Sequence, residues 1–409
     1  MPLMKRCRAC TSTRLYVFHE MGDHPPANAF VKRERLNERQ PSYPLDSNVC
    51  LDCALVQIPD QLPKDFFSDY VYIPSASDTM HAHFANFAKK LEQRFIGPGQ
   101  RVVDIGCNDG LFLKACKDIG LSTLGIEPAV NIAALARAKG IEVVNDYFTP
   151  DLATRVAREH GPAQVIVTTN TFNHIDDLHA FMRGVDVLLA ADGTMMIEVP
   201  QALTFIEHNE FDTVYHEHLS VFSVTSMAAL GRFFGMHVVD LDVLPIHGGS
   251  MRVHLQRVTA GRQPAPVVKE FLDRERAQGL FEAETYDRFR ERVETIRSDL
   301  MRMLRELKQQ GKKLAGYGAP AKGNTLLNYY GIGPDILDYL ADRNTLKQGL
   351  YSPGKKIPVV SPDRILETMP DYLLILAWNF GDEIMAQQAE YRRRGGRFIL
   401  PIPEPRIVG

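Results

Sequence analysis

The sequence has few of the features that mark membrane, secreted or nucleic-acid-binding proteins. Among its 409 residues no apolar run approaches the ~20 that a membrane helix needs. Positive charge is not in excess, because 47 Lys and Arg stand against 50 Asp and Glu, so we expect no nucleic-acid or membrane partner. The first residues, MPLMKRCRAC, contain no apolar h-region and no signal cleavage site. We therefore expect a cytoplasmic, soluble protein, and no obligate protein partner is evident.

Cysteine is also scarce, and four of the six cysteines form two close pairs. Cys7 and Cys10 make one C-x2-C motif, and Cys50 and Cys53 make another. Four thiolates around one ion give a closed tetrahedral site, which is typical of structural zinc. The 39 residues between the pairs exceed the usual spacing of roughly 15–20, and two redox dithiols are the alternative. We predict that these four cysteines bind a structural Zn²⁺.

The rest of the chain alternates apolar strands with helices. This alternation over residues 99–200 predicts a parallel, doubly wound sheet. Residues 312–380 alternate in the same way. Between them, apolar residues recur at three- and four-residue steps from Tyr286 to Leu307, and we expect this helix to pack on its own chain rather than form a coiled-coil dimer. The predicted order is a zinc module (1–75), an α/β domain (76–256), and a helical connector with a second α/β domain (257–409).

The first glycine turn indicates the kind of cofactor. Residues 104–110, DIGCNDG, directly follow a predicted strand. Asp104 would repel a pyrophosphate, so a cationic or hydroxyl-rich ligand fits better than a dinucleotide. Glu127 ends the next strand, where a carboxylate can hold ribose hydroxyls, and Asp146 ends the third, where a side chain can contact adenine. A purely structural turn is the alternative.

Acids at three successive strand ends resemble the class I S-adenosylmethionine methyltransferases, which have a Rossmann-like fold. In that case Asn170, which closes the fourth strand, lies near the sulfonium and the substrate. The expected cofactor-binding residues are Asp104, Gly106, Asn108, Asp109, Gly110, Glu127, Asp146 and Asn170.

A second constellation is the run Tyr215-His216-Glu217-His218. A metal site and a buried structural network are two interpretations. We favour acid–base chemistry, because an imidazole of ordinary pKa can remove a proton near neutral pH. An adjacent carboxylate would orient the imidazole, and a tyrosine can donate to an oxyanion. His174 follows Asn170 by four residues and is expected to face the cofactor.

In order along the chain, these features resemble the sugar C-methyltransferases that act on nucleotide-linked 4-keto-deoxysugars. The resemblance covers essentially the whole chain. Besides the cysteine pairs it is carried by the motifs DIGCNDG (104–110), NTFNHI (170–175), YHEHLSVFS (215–223), PIHGGS (245–250), GYGAPAKG (316–323) and AWNFGDEIM (377–385).

The resemblance implies an enzyme that binds S-adenosylmethionine in its first α/β domain and the nucleotide of a dTDP- or GDP-linked sugar in its C-terminal domain. The family's Y-x-E-H motif matches Tyr215, Glu217 and His218, and its loop tyrosine matches Tyr72. The expected reaction is methylation at C3 through an enolate, with His218 as the base and His174 as the alternative. The expected substrate-binding residues are His247, Lys322, Asn344, Trp378 and Asn379.

Three other functions remain as alternatives. A nucleotide-sugar oxidoreductase or epimerase would hold NAD in the C-terminal domain, with Asp335 or Asp338 as the ribose acid. It would leave Asp104 and Glu127 without a role. A non-catalytic zinc-ribbon module would have lost the strand-end acids, which are present. Methylation of nucleic acid is disfavoured by the charge balance.

Overall fold

The N-terminal module is built on a small antiparallel sheet in the computed structural model, which describes residues 4–59, 62, 63, 66, 72–97, 99–246 and 248–409. Strands β1 (Leu15–His24), β2 (Tyr43–Cys50) and β3 (Val56–Gln57) pair in sequence order. A fourth strand, β9 (Ser220–Val221), comes from far along the chain and pairs with β3. Because β9 directly follows the Tyr215–His218 run, this pairing fixes the module beside that run.

A seven-stranded sheet forms the central unit. Its strands are β4 (Arg101–Ile105), β5 (Ser122–Ile126), β6 (Val143–Val144), β7 (Ala163–Thr169), β8 (Leu189–Pro200), β10 (Met236–Leu244) and β11 (Ser250–Arg257). The spatial order is β10-β11-β8-β7-β4-β5-β6, and β11 runs antiparallel to both neighbours. From β4 the chain adds β5 and β6 on one side of the sheet, and from β7 it adds β8 on the other side. In such sheets ligands bind at the carboxyl ends of the strands where this order reverses, which here is between β4 and β7.

Helices cover the central sheet. They are α1 (Asp78–Arg94), α2 (Leu111–Asp118), α3 (Val130–Ala138), α4 (Pro150–His160), α5 (Leu178–Leu188), α6 (Ala202–Glu207) and α7 (Val224–Arg232). Strands between two helical layers are apolar on both faces, as Val165, Ile166 and Val167 of β7 are. Helix α4 begins as its sequence predicts, because Thr149 accepts a hydrogen bond from the Leu152 amide and Pro150 occupies the first turn.

Two helices connect the central unit to the last one: α8 (Pro266–Ala277) and α9 (Ala283–Gln309). The apolar seam of α9 is buried within the chain, with Tyr286 and Phe289 packed against Phe18 of β1. The prediction that this helix packs on its own chain is confirmed.

The C-terminal unit repeats the doubly wound plan with six strands. They are β12 (Leu314–Tyr317), β13 (Leu340–Ala341), β14 (Val359–Val360), β15 (Tyr372–Ile375), β16 (Arg397–Leu400) and β17 (Arg406–Val408), in the order β14-β13-β12-β15-β16-β17. All run parallel except β17. Its helices are α10 (Ala321–Tyr330), α11 (Asp363–Thr368), α12 (Gly381–Gln387) and α13 (Ala389–Arg393). The strand order reverses between β12 and β15, which gives a second edge suited to ligands.

Short 3-10 turns complete the fold at Arg33–Arg35, Pro74–Ala76, Phe172–His174, Phe211–Thr213, Val258–Ala260 and Trp378–Phe380. Within the part of the chain that the structure describes, no helix is both long and apolar enough to cross a membrane. The predicted α/β class, with two Rossmann-like sheets and an N-terminal zinc-binding module, is confirmed.

Candidate active site

A cavity of about 680 Å³ is lined by residues from the ligand-binding edges of both large sheets. Asp104 and Asn170, at the ends of β4 and β7, form part of one wall. Gly318 and Ala377, beyond β12 and β15, form part of the opposite wall. The Tyr215–His218 run lines the space as well. The fold therefore brings the two predicted binding edges and the predicted acid–base residues to a single site.

The first glycine turn combines a backbone position that only glycine tolerates with a buried acid. Gly106 has φ +76°, and a Cβ there would lie only 2.2 Å from Thr171 Oγ1. Asp104 beside it is 1% exposed, and its Oδ1 has no hydrogen-bond partner in the described structure. Burial, reinforced by Glu127 and Glu198, raises the pKa of Asp104 well above its usual range. A buried carboxyl with an unused oxygen is suited to a ligand that brings positive charge or hydroxyl groups.

Glu127 links the glycine turn to the end of β5. Its Oε2 accepts from the Asn108 amide and its Oε1 from the Ala129 amide, both at 2.9 Å. Burial raises the pKa of Glu127, and the two amides oppose that shift. The carboxylate also lines the cavity, where its remaining lone pairs can accept from ligand hydroxyls.

Tyr215 and His218 form a directly hydrogen-bonded pair, between the tyrosine hydroxyl and Nε2 of the imidazole. Nδ1 of His218 lies 3.0 Å from the Thr213 carbonyl oxygen. Because a carbonyl only accepts, Nδ1 carries the hydrogen and Nε2 of the neutral ring accepts from the tyrosine. The Thr213 carbonyl thus helps to orient the imidazole. The ring of His174 meets that of His218 edge-on, with centroids 4.9 Å apart.

The protonation states of this cluster follow from its burial. Burial, with the nearby Glu217 charge, raises the pKa of Tyr215 well above its usual range, so the hydroxyl is protonated at neutral pH. Burial lowers the pKa of His174 to about 4, so its ring is neutral. Tyr72 faces the same cavity, is 38% exposed, and keeps its hydroxyl protonated at neutral pH as an ordinary tyrosine does. The cluster therefore offers protonated hydroxyls and a neutral imidazole.

The C-terminal wall carries a cation next to buried acids. Lys322 Nζ lies 3.4 Å from Glu210 Oε2 and 5.0 Å from the centroid of the Trp378 ring. Trp378 donates from Nε1 to Asp212 Oδ2 at 2.7 Å, so its indole ties β15 to the segment before Tyr215. Burial raises the pKa of Asp212 to about 6 against the opposing effects of Lys322 and Trp378.

The predicted metal ligands converge on one point in the N-terminal module. The sulfur atoms of Cys7, Cys10, Cys50 and Cys53 all lie within 4.8 Å of one another. The nearest pairs, Cys7–Cys53 and Cys10–Cys50, are 3.5 Å apart, which is too long for a disulfide of ~2.05 Å. Four sulfurs at about 2.3 Å from a central ion would have separations of this size. The cluster fits a zinc ion with no open coordination position, which excludes a catalytic role for that ion.

Comparison with known proteins identifies the family. Family models match residues 7–67 ("Putative zinc binding domain"), 80–241 ("Methyltransferase domain") and 245–403 ("C-methyltransferase C-terminal domain"). The C-methyltransferase NovU of Streptomyces niveus is 35% identical over 404 residues, which cover 98% of this chain and 96% of NovU. The chain belongs to this C-methyltransferase family. It is an S-adenosylmethionine-dependent enzyme with a structural zinc site, as the motifs had predicted.

Other similar proteins match a smaller share of the chain. The ubiquinone biosynthesis O-methyltransferase of Xanthomonas campestris pv. campestris (strain B100) is 28% identical over 102 residues, which are 24% of this chain and 43% of that enzyme. The magnesium protoporphyrin IX methyltransferase ChlM of Synechocystis PCC 6803, a structure with bound SAH, aligns with 43% of this chain and 83% of its own, at 11% identity and a TM-score of 0.34.

Most of the predicted site residues of this C-methyltransferase reach the cavity. The wall includes Tyr72, Asp104, Gly106, Asn108, Glu127, Asn170, His174, Tyr215, Glu217, His218, Lys322, Asn344 and Asn379. Trp378 is not among the lining residues, and its Nε1 donates to Asp212 Oδ2. His247 lies outside the described residues.

Three predicted cofactor residues do not line the cavity. Strand β6 ends at Val144, so Asp146 falls beyond the sheet edge, with its side chain 52% exposed and 3.4 Å from Arg155. Asp109 pairs instead with Lys139 at 2.7 Å. Gly110, with φ +76°, begins α2, and a Cβ there would lie 3.0 Å from that of Ala136. Tyr147 and Phe148 take the place expected for Asp146 on the wall.

Two cavity residues of this C-methyltransferase had no signal in the sequence. Asn28 comes from the connection between β1 and β2 and donates from Nδ2 to Glu217 Oε2 at 2.7 Å. Lys347 is buried and donates from Nζ to the Ala319 carbonyl at 2.9 Å. Burial lowers the pKa of Lys347, while Asp342 and Glu217 oppose the shift. Neither residue belongs to a spacing motif, and each reaches the cavity only through long-range packing.

Proposed function

We propose that this enzyme methylates C3 of a nucleotide-linked 4-keto-6-deoxysugar. The observation that carries the proposal is the position of the Tyr215–His218 pair. It lies between a wall suited to S-adenosylmethionine and a wall bearing the ammonium groups of Lys322 and Lys347. Carbon methylation needs a carbanion-like nucleophile, and a hydrogen next to a ketone is acidic enough to supply one. A diphosphate needs cations, and the C-terminal wall supplies two.

S-adenosylmethionine would contribute the methyl group as an electrophilic sulfonium and leave as S-adenosylhomocysteine. Asp104, Gly106, Asn108, Glu127 and Asn170 are the residues proposed to hold it, since these line the wall at the end of β4, β5 and β7. This chain's own contribution is to create the nucleophile and to align it with the methyl group.

The base is assigned to His218. Its Nε2 is hydrogen-bonded to the Tyr215 hydroxyl. When the hydroxyl turns to donate to the C4 oxygen of the sugar, Nε2 becomes available to take the C3 proton. The electron pair of the C–H bond moves into the enolate, and the tyrosine hydroxyl stabilises the negative charge on oxygen. The enolate carbon then forms the bond to the methyl group. His174, whose ring touches that of His218, is the alternative base.

The test is mass spectrometry of the enzyme with a panel of nucleotide 4-keto-6-deoxysugars in heavy water, with and without S-adenosylmethionine. We expect deuterium to enter C3 without the methyl donor, and a product heavier by one methylene group with it. His218→Asn should lose both the exchange and the methylation. If His218→Asn keeps the exchange and His174→Asn loses it, the base assignment is reversed. Binding of S-adenosylhomocysteine to both variants serves as the control for folding. Methylation of none of the sugars would refute the proposed substrate class.

A further inference from the structure

Asn28 connects the zinc module to the acid–base residues. It lies between β1 and β2, and its side-chain amide donates to Glu217 Oε2 at 2.7 Å. We propose that Asn28 is a positioning residue for methyl transfer, which holds the Glu217 carboxylate in its place on the cavity wall. The inference rests on the proposed function, because it takes Glu217 as part of the machinery for that reaction.

The backbone that carries Asn28 is itself fixed to the C-terminal unit. The Ala27 carbonyl accepts from Asn324 Nδ2 at 2.8 Å. Val31 and Tyr351 exchange two backbone hydrogen bonds of 2.9 Å each. Asn28 therefore projects from a segment that is anchored on both sides. Because its side-chain amide is already held in place, substrate binding does not have to supply the free energy of ordering it.

Glu217 needs such a donor because it is 1% exposed. A carboxylate removed from water is costly unless hydrogen bonds stabilise the charged form. Titratable groups near it in the described part of the chain include Tyr215, His216 and His218 on its own segment and Lys347 from the C-terminal unit. The charge of Glu217 acts on the Tyr215 hydroxyl. A displaced or protonated Glu217 would change the field at the Tyr215–His218 pair without removing either residue.

The test replaces the amide by a carboxylate of the same shape, Asn28→Asp. Two facing carboxylates repel at high pH, whereas at low pH they share a proton and regain a hydrogen bond. We expect kcat to fall roughly 10- to 100-fold at pH 8, the loss expected for a hydrogen bond to a charged group, with the deficit narrowing towards pH 6. Asn28→Ala should lose activity by a similar factor at every pH. The loss in kcat should exceed any rise in the KM for the sugar, and the affinity for S-adenosylhomocysteine should stay within about twofold of wild type, since Asn28 is not among the residues proposed to hold the cofactor.

Asn37→Asp is the matched control, because it makes the same chemical change at an exposed position of the same connection. It should leave kcat unchanged. A wild-type kcat for Asn28→Asp at pH 8, or a deficit equal at pH 6 and pH 8, would overturn the positioning role. So would a larger effect on S-adenosylhomocysteine binding than on kcat.

The contact between Asn28 and Glu217 can also be tested by a stability measurement that does not require enzymatic activity. In Asn28→Asp mutual repulsion should favour the protonated form of the carboxyl pair in the folded protein, so its stability relative to wild type should fall as pH rises from about 5, just above the ordinary carboxyl pKa, to 8. A thermal midpoint difference that is the same at both pH values would overturn the contact itself. If the wild-type enzyme methylates none of the 4-keto sugars, the proposed function fails, and the unfolding profile still decides whether Asn28 holds Glu217.

Discussion

Glu127 and Asp342 play the same structural role in two different sheets. Each follows the second strand of its unit and accepts hydrogen bonds from two backbone amides. One amide belongs to the glycine turn after the first strand, and the other belongs to the residue two positions after the acid itself. The donors are Asn108 and Ala129 for Glu127, and Ala319 and Asn344 for Asp342. Each carboxylate thereby locks a glycine turn to the neighbouring strand end. Asp335 and Asp338, the acids expected for a bound NAD, both precede β13 and lie away from this edge.

Asp104 should couple cofactor binding to proton release. Burial raises the pKa of Asp104, and a bound cation favours the charged carboxylate. We therefore expect a proton to leave on binding at pH values below the raised pKa, so that affinity increases as pH rises towards it. Calorimetry of S-adenosylmethionine binding in buffers with different ionisation enthalpies measures this release. Asp104→Asn should abolish it and weaken binding roughly tenfold or more. Asp109→Asn, in the same turn but paired with Lys139, should retain the proton release.

Removing the hydroxyl of Tyr215 should affect chemistry more than binding. Tyr215→Phe loses the hydrogen bond to His218 Nε2 and the proposed donor to the enolate oxygen. We expect kcat to fall roughly 100-fold, as for the loss of an acid–base group, with little change in S-adenosylhomocysteine affinity. Tyr330→Phe controls for loss of a buried hydroxyl, because its ring stacks on Phe211 outside the cavity. An unchanged kcat for Tyr215→Phe would contradict the proposed role.

Lys322 should affect the sugar substrate selectively. Lys322→Met keeps an aliphatic chain against Trp378 and removes the charge. Loss of a charge-assisted contact to a diphosphate should raise the KM for the nucleotide sugar roughly tenfold or more. Steady-state kinetics give this value, and Lys269→Met, at an exposed site on α8, is the control. An equal loss of cofactor affinity would show that the residue serves the fold rather than the substrate.

Loss of zinc should damage the cavity as well as the module. Cys10→Ser leaves three thiolates, and we expect the ion content, measured by atomic emission, to fall from one per chain to well below that. Because metal binding supplies folding free energy, the thermal midpoint should fall with it. Activity should be lost too, since β3 pairs with β9 and Asn28 reaches Glu217. Cys116→Ser, a buried cysteine outside the cluster, should retain zinc.

His216 should contribute to acid sensitivity. It is 1% exposed, and burial lowers its pKa to about 4, although its Nε2 lies 3.1 Å from the Tyr43 carbonyl. The unfolded chain, with an imidazole pKa near ~6.5, binds more protons, so stability falls as pH drops from about 6.5 to 4. Denaturant titrations measure the free energy of unfolding at each pH. Between pH 6.5 and 4 its decrease should be smaller for His216→Asn than for wild type, by up to about 3 kcal/mol. His81→Asn, at an exposed site, should follow wild type.

The features that could be predicted from sequence are those encoded locally. Three such features occupy short stretches of sequence. In the structure the paired cysteines form a metal-binding cluster, the strand–helix alternation forms two sheets, and the Tyr215–His218 run lines the cavity. Asp146 was misplaced because its position depends on where a two-residue strand ends. The role of Thr213 was missed because a backbone carbonyl carries no sequence signal. Asn28 and Lys347 depend on packing between units that no spacing rule describes.

The strand order reverses between β4 and β7 and between β12 and β15, and both points face one cavity. This arrangement has a consequence for how such enzymes diversify. The wall proposed to bind the methyl donor and the wall proposed to bind the nucleotide are encoded in separate stretches of the gene, joined by a connector that packs on its own chain. On that proposal, substitutions in residues 312–409 remodel acceptor recognition and leave the donor pocket unchanged. Exchanging that stretch between relatives should transfer acceptor preference as a unit, provided that the recipient retains Asp212 and the Ala27 carbonyl as partners for Trp378 and Asn324.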